Sequence, residues 1–377
     1  MYFTDAHEEL RQHLRRFLEK EVAPHLEAWE RTTFPDSIMR RMGELGFLGL
    51  RYPTEYGGQG GDYFSAVVLA EEMARIHSGG LGMAVAVQAE MATPPVFRFG
   101  TEEQRRMFVT PAIEGEAIAS LAITEPGAGS DVAAIETTAR RDGDHFVIDG
   151  RKTFITNGAR CSWALVVART DREAGRGGFS LFVVERGRSG FEVGRTLEKL
   201  GMHSSDTAEL IFEGCRVPAS NMVGAEGEGF KNLMWELQGE RLIAACGAVA
   251  GAAAVFEFAL QYAKDRPAFG SPISELQVIK HRLVDMGTKI ATIRAFVYET
   301  ARRWDTGEYP VREISQAKLI ATQVAVEVAD EAIQILGGHG YMREFPVERA
   351  WRDARLGRIA AGTDEIMKEI IAKTYGL

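Results

Sequence analysis

No run of basic residues interrupts the 377-residue chain, whose formal net charge is −9. Without a compensating basic patch, nucleic acid and anionic membranes would both repel it, which excludes them as general partners. Cysteine is scarce: Cys161, Cys215 and Cys246 are odd in number and scattered, so neither a disulfide framework nor a zinc site fits and small buried thiols are expected. The N-terminal MYFTDAHEELRQHL lacks a basic n-region, an apolar core and a cleavage motif, so no secretory signal is expected. Long hydrophobic runs are missing as well; the longest weakly polar stretch, Leu242 to Phe256, is too short and too rich in Ala and Gly for a membrane span. There is no Walker-type phosphate loop, and the glycine-rich GAEGEGF lacks dinucleotide-fingerprint spacing and reads as a linker. These absences predict a soluble cytoplasmic protein, with a processed mitochondrial matrix protein as the alternative.

What is present is 45% hydrophobic and 26% charged, in a chain long enough for two or three domains. Leu10, Leu14, Phe17, Leu18 and Val22 recur at helical spacing before Pro24, and a second helix starts near Pro35 and Asp36 and stops at Gly46. A glycine-rich connection follows, then helical patterns over Phe64 to Ile76 and Leu81 to about Val96; Thr101 and Gln104 are spaced as a capping box. Near Ile118 the texture changes to short apolar runs bounded by the turn pairs Asp142-Gly143, Asp149-Gly150 and Asn157-Gly158, which predicts a compact antiparallel β domain. Helical periodicity returns over Phe230 to Asp265, Leu276 to Trp304 and Arg312 to Leu336, and a short helix after Gly362-Thr363 ends the chain. The expected class is therefore α+β, mainly α: an N-terminal helical domain (1–117), a middle antiparallel β domain (118–226) and a C-terminal four-helix bundle (227–377).

One carboxylate is out of place in this pattern. In WELQGERLIAACGAVAGAAAVF, Glu240 stands at the head of a stretch with no charged residue between Arg241 and Glu257. It reads either as a first-turn residue or partner of a nearby base, or as a general base whose pKa an apolar surround raises. The stretch AITEPGAGSD offers Thr124, Ser130 and main-chain N–H groups freed by small residues, as a polar ligand site or as a tight turn.

AITEPGAGSD followed by Val132-Ala133-Ala134 resembles the first signature of the acyl-CoA dehydrogenase family, and QILGGHGYMREFPVERAWRD, from Gln334 to Asp353, is similar to the second. KTFITNG, RPAFG and GTDEIMKEII fall in the family's order and spacing, so the resemblance covers the whole chain. It implies FAD. Leu121, Ile123, Thr124, Gly129 and Ser130 would lie along the flavin, with Ser130 also near the thioester end; Phe154, Ile155 and Thr156 would stack on and bond the ring. From a neighbouring subunit, Arg266, Phe269, Gln277, Gln334, Gly337 and Gly338 would hold pyrophosphate and adenosine, and Thr363 with Glu365 would lie at a phosphate-facing helix start. The bland alternatives are a surface charge for Arg266, core for Phe269 and a plain cap for Thr363.

Most of the family places its base immediately before the Gly-Thr that opens the final helix, where this chain has Ala361. The isovaleryl-CoA and long-chain branches place it on the long helix, and LQGERL is similar to their stretch, which assigns Glu240 as base. The resemblance then implies α,β-dehydrogenation of an acyl-CoA: proton to Glu240, hydride to the flavin, trans-2-enoyl-CoA as product, and electron-transfer flavoprotein as acceptor. Arg241, Ala360, Ala361 and Gly362 would join Ser130 at the substrate, the Ala361 N–H holding the thioester oxygen. Small Ala360 predicts a branched or bulky acyl group, with medium-to-long straight chains as the alternative. A homotetramer built as a dimer of dimers is implied. The rival readings are a flavin-dependent oxidase or monooxygenase on the same fold and a non-catalytic FAD-binding relative. Glu90, near where family members build the acyl pocket, reads as a solvated or paired carboxylate, with recognition of a polar acyl tail as the alternative, and His339, with no partner at ligand spacing, predicts no metal.

Overall fold

The structure, a computed structural model, describes residues 2–377. Its first helix, α1 (Asp5–Phe17), does not stop before Pro24: a π turn (Leu18–Val22) and a 3-10 turn (Ala23–His25) carry the chain into α2 (Leu26–Trp29). Pro24 lies in the first turn of that 3-10 segment, where a missing N–H costs little, so the apolar stripe stays buried through Leu26 and Trp29. Next come α3 (Asp36–Glu44), α4 (Tyr63–Arg75), α5 (Gly79–Ala86), a π turn (Val87–Ala92), α6 (Thr93–Phe99), α7 (Glu102–Gln104) and α8 (Thr110–Ile113). Both halves of the expected capping box form, with Gln104 N donating to Thr101 Oγ1 at 3.2 Å and Thr101 N to Gln104 Oε1 at 3.0 Å.

The middle region holds β1 (Ala119–Ala122), β2 (Thr138–Asp142), β3 (His145–Thr156), β4 (Trp163–Arg169), β5 (Phe179–Glu185), β6 (Phe191–Thr196), β7 (Thr207–Pro218) and β8 (Met222–Val223). They form one sheet in the order β6-β7-β3-β2-β4-β5-β8, with β1 on β4. Two expectations need correction. The sheet is not wholly antiparallel, since β1 runs parallel to β4, and Asp149-Gly150 is not a turn but a bulge inside β3. A Cβ on Gly150 would lie 2.3 Å from Thr137 Oγ1, so glycine is required by close approach of a neighbouring chain segment, not by reversal of its own.

After the sheet, α9 (Gly229–Asp265) leads through a small hairpin, β9 (Pro267–Ala268) and β10 (Ser271–Pro272), to α10 (Gln277–Asp305), α11 (Val311–Leu336), α12 (Pro346–Gly357) and α13 (Asp364–Thr374). At 37 residues, α9 is longer than the apolar run within it and is long and apolar enough to span a membrane, but 56% of its most apolar window is buried inside the fold. Its small side chains let α4, α10 and α11 approach closely, and one continuous core joins Tyr63 and Phe64 of α4 to Leu242, Val249, Ile293 and Val328 of the bundle. Helix α12, unforeseen from periodicity, opens on Pro346 and carries a Glu348–Arg352 pair at i,i+4.

Candidate active site

Because α9 begins at Gly229, Glu240 lies about three turns inside it, and the first-turn reading fails. The two cations near this carboxylate pin a loop. Arg241, itself buried, donates from Nε to the Ala361 carbonyl at 2.9 Å. Lys318, fully buried on α11, donates from Nζ to the next carbonyl, Gly362, at 2.6 Å. Between these anchors Ala361 is held in the left-handed region, at φ +57, and its N–H has no intramolecular partner among the described residues. Burial raises the Glu240 pKa, against opposing effects of a hydrogen bond with Glu236 and the charges of Arg241 and Lys318. Burial also brings Lys318 down to about 8.

The sequence reading missed two of these groups. Glu236 is 2% exposed, one turn before Glu240. An acid pair at i,i+4 in an apolar helix was the available signal. Lys318 stands alone in the apolar face of α11, a signal no stronger than that of a lysine reaching for solvent.

On the sheet, Lys152 and Glu125 lace the AITEPGAGSD segment to β3. Lys152 Nζ donates to the Ile123 carbonyl and to Glu125 Oε1, each at 2.9 Å, and Thr153 N donates to the Thr124 carbonyl at 2.8 Å. Thr124 thereby lies beside Thr153, on the strand that carries Phe154 and Thr156. Phe154 is 68% exposed at φ +61, a conformation that a bulky residue adopts only when its surroundings dictate it. Ser130 is exposed and Leu121 and Ile123 half-buried, whereas Ile155 is core, so only its main chain can face a ligand. A Cβ on Gly127 or Gly129 would meet nothing, leaving an open main-chain face.

The remaining expected residues gather elsewhere. Arg266, Gly337 and Gly338 line a cavity of about 540 Å³ together with Tyr262, whose hydroxyl contacts His339 Nδ1 at 2.6 Å. Phe269 is 95% exposed at φ +55 in the β9–β10 hairpin, Gln277 is exposed at the start of α10, and Gln334 is exposed three residues before Gly337. Along α9, Glu240 and Arg266 are separated by roughly 39 Å, from 26 residues at 1.5 Å each. One chain therefore does not bring this set to its own Glu240. Thr363 caps α13, accepting from Ile366 N at 3.3 Å, and Glu365 is exposed in its first turn.

A second, apolar cavity of about 230 Å³ begins one turn beyond Glu240. Ala244, Gly247, Ala248, Gly251, Ala252 and Val255 supply one wall, at the spacing of a single helix face. Opposite lie Ala86 and Glu90, the latter paired with Arg51 at 2.7 Å, as one of its two readings expected. Two further non-glycine residues at positive φ, His77 and Met202, line the far end.

The sheet leaves an aromatic ring and free main-chain groups open, while α9 carries a carboxylate near a pinned loop and, beyond it, the apolar wall of a cavity. That division suits a flavoprotein acting on a substrate with a long apolar part. Comparison with known proteins narrows the class. The N-terminal, middle and C-terminal domains of acyl-CoA dehydrogenase match residues 4–116, 120–215 and 227–376. The long-chain specific acyl-CoA dehydrogenase of Sus scrofa is 40% identical over 374 residues, spanning 98% of this chain and 86% of that protein. The isovaleryl-CoA dehydrogenase of Solanum tuberosum is 38% identical over 376 residues, spanning 99% and 91%. A crystal structure of acyl-CoA dehydrogenase from Geobacillus kaustophilus superposes with a TM-score of 0.97 at 43% identity, covering 100% of this chain and 99% of that one. The chain belongs to the acyl-CoA dehydrogenase family, whose members are FAD-dependent. Its residues fit that cofactor: an exposed ring at Phe154, open main chain at Gly127 and Gly129, and an arginine beside two exposed glycines.

Proposed function

We propose that this protein oxidises a medium-to-long straight-chain acyl-CoA to its trans-2-enoyl-CoA, with Glu240 as the base. The observation that carries the reading is continuity: Glu240 stands on the same face of α9 as the small residues that wall the apolar cavity. A thioester whose tail enters that cavity leaves its α-carbon near Glu240, which removes the proton. The unpaired Ala361 N–H is available to the thioester oxygen, where negative charge collects. Arg241 and Lys318 act on the loop, not on the substrate, by fixing the two carbonyls that set its conformation. Thr124, Ser130, Phe154 and Thr156 would hold FAD, which when bound would supply the hydride acceptor.

From Ala244 to Val255 the wall runs about 16 Å at 1.5 Å per residue. An extended alkyl chain advances roughly 1.2 Å per bond, a third of an extended residue, so roughly a dozen carbons fit beyond the reacting pair. Small Ala360 supports a second reading, a branched acyl group, through width at Cα and Cβ. Electron-transfer flavoprotein is the proposed acceptor and the cytoplasm the proposed location. The separation of Arg266 from Glu240 supports at least a dimer, and the family resemblance a dimer of dimers, in which one subunit's Arg266, Phe269, Gln277, Gln334, Gly337 and Gly338 complete another's cofactor site. Turnover of isovaleryl-, butyryl-, octanoyl- and palmitoyl-CoA by the purified holoprotein tests the substrate. Preference for the two longer straight chains is expected, and preference for isovaleryl-CoA would reverse the order of the two readings.

A further inference from the structure

Glu236 is a buried carboxyl without an evident structural partner. No N–H or O–H among the described residues donates to either of its oxygens. It stands one turn before Glu240 on the same face of α9, and the group within hydrogen-bonding reach is the Glu240 carboxyl itself. Two carboxyls this close in an apolar setting cannot both ionise, so the pair holds a proton. The surroundings favour Glu236 as its holder. It is the more deeply buried of the two, and burial and the neighbouring Glu240 charge both push its pKa well above the ordinary carboxylate range. Glu240 lies nearer the compensating charges, Arg241 on its own helix and Lys318 on α11. Tyr309, ahead of α11, acts on Arg241.

We propose that Glu236 is a positioning residue for the base, donating its proton to one Glu240 oxygen so that the other stays ionised and aimed at the substrate. A structural carboxyl would be expected to find a donor of its own; this one has only the base. The donated hydrogen bond opposes the effect of burial on Glu240 and so favours the ionised form of a carboxylate three turns inside a helix. The inference rests on the assignment of Glu240 as base, and its test separates the two.

The experiment is the pH profile of anaerobic flavin reduction by acyl-CoA, in single turnover, for wild type, Glu236→Gln and Glu236→Leu holoproteins. Gln keeps an N–H donor, so its acid limb should stay within about half a pH unit of wild type. Leu removes the donor, so its limb should move up by about one unit or more, a roughly fivefold or greater loss at the wild-type half-point. An unmoved limb in Glu236→Leu, or an equal shift in both variants, overturns the proposal. If the Leu variant does not fold, infrared difference spectra of wild type minus Glu236→Gln at pH 7 decide. A protonated-carboxyl band present only in wild type supports the proposal, and its absence overturns it. Glu240→Gln in the same assay isolates the underlying reading: full activity there removes the base assignment, whereas an inactive Glu240→Gln with an unmoved Glu236→Leu limb removes only the role of Glu236.

Discussion

Glu125 and Glu240 are both glutamates out of bulk water, and the molecule treats them oppositely. Glu125 receives main-chain N–H groups from Glu136 and Thr137 at 2.7 and 3.0 Å, a hydroxyl from Thr137 and the ammonium of Lys152 at 2.9 Å. Burial would raise its pKa, but these donors together hold it below the ordinary value. Glu240 has near it a second acid and two cations, each of which donates to a loop carbonyl through one nitrogen, Arg241 Nε and Lys318 Nζ, and its pKa stays raised. Burial alone therefore does not select the base. The carboxylate surrounded by donors organises the sheet, and the one with a second carboxyl in place of such donors keeps the proton affinity that the proposed base needs.

The comparison breaks most visibly if Lys152 is removed. Lys152→Met leaves Glu125 buried without its cation and should cost about 3–5 kcal/mol, read from the urea midpoint. A cost below about 1 kcal/mol would mean that the hydroxyl and N–H donors suffice without it. Next comes pH. The lowered pKa of Glu125 contributes stability that is present above the unfolded value of about 4.3 and lost as pH falls through the folded one. The raised Glu236 and Glu240 contribute stability that is full below about 4.3 and lost as pH rises from there through their folded pKa. Denaturation of wild type and Glu236→Gln between pH 5 and 8 should therefore show wild type losing ground as pH rises, by up to about 1.4 kcal/mol per unit for one proton. Smaller again is the loop. Lys318→Met frees the Gly362 carbonyl and should slow anaerobic flavin reduction about tenfold while FAD content is kept. Smallest is Ala361→Gly, which removes a left-handed alanine worth about 1 kcal/mol, partly offset by added freedom in the unfolded chain, so the thermal midpoint should rise slightly.

These distinctions were unequally legible in the sequence. Helical periodicity located α4, α9, α10 and α11 within a residue or two, and the Thr101–Gln104 box was readable because capping is decided by four consecutive residues. Glu240 stood out because its downstream neighbours are apolar. Glu236 did not, because it stands among Trp235, Leu237 and Gln238, where nothing local reveals that no donor will reach it. The Gly150 bulge and the parallel pairing of β1 with β4 depend on segments distant in sequence, and turn chemistry read locally mistook the first for a reversal. The positive φ of Phe154, Phe269 and Ala361 had no sequence signal at all, since none of these residue types favours it. All three fall on positions that the family resemblance had already marked, in keeping with strain collecting where a site demands it.

The measurement that bears most directly on the contrast between the two glutamates is anaerobic mixing of Glu240→Gln holoprotein with an octanoyl- or palmitoyl-CoA that bleaches the wild-type flavin. The account predicts a variant that keeps its FAD and still binds acyl-CoA but bleaches slower by about 10²–10⁴-fold, the usual contribution of a general base. Bleaching at the wild-type rate would contradict it and move the base to another residue.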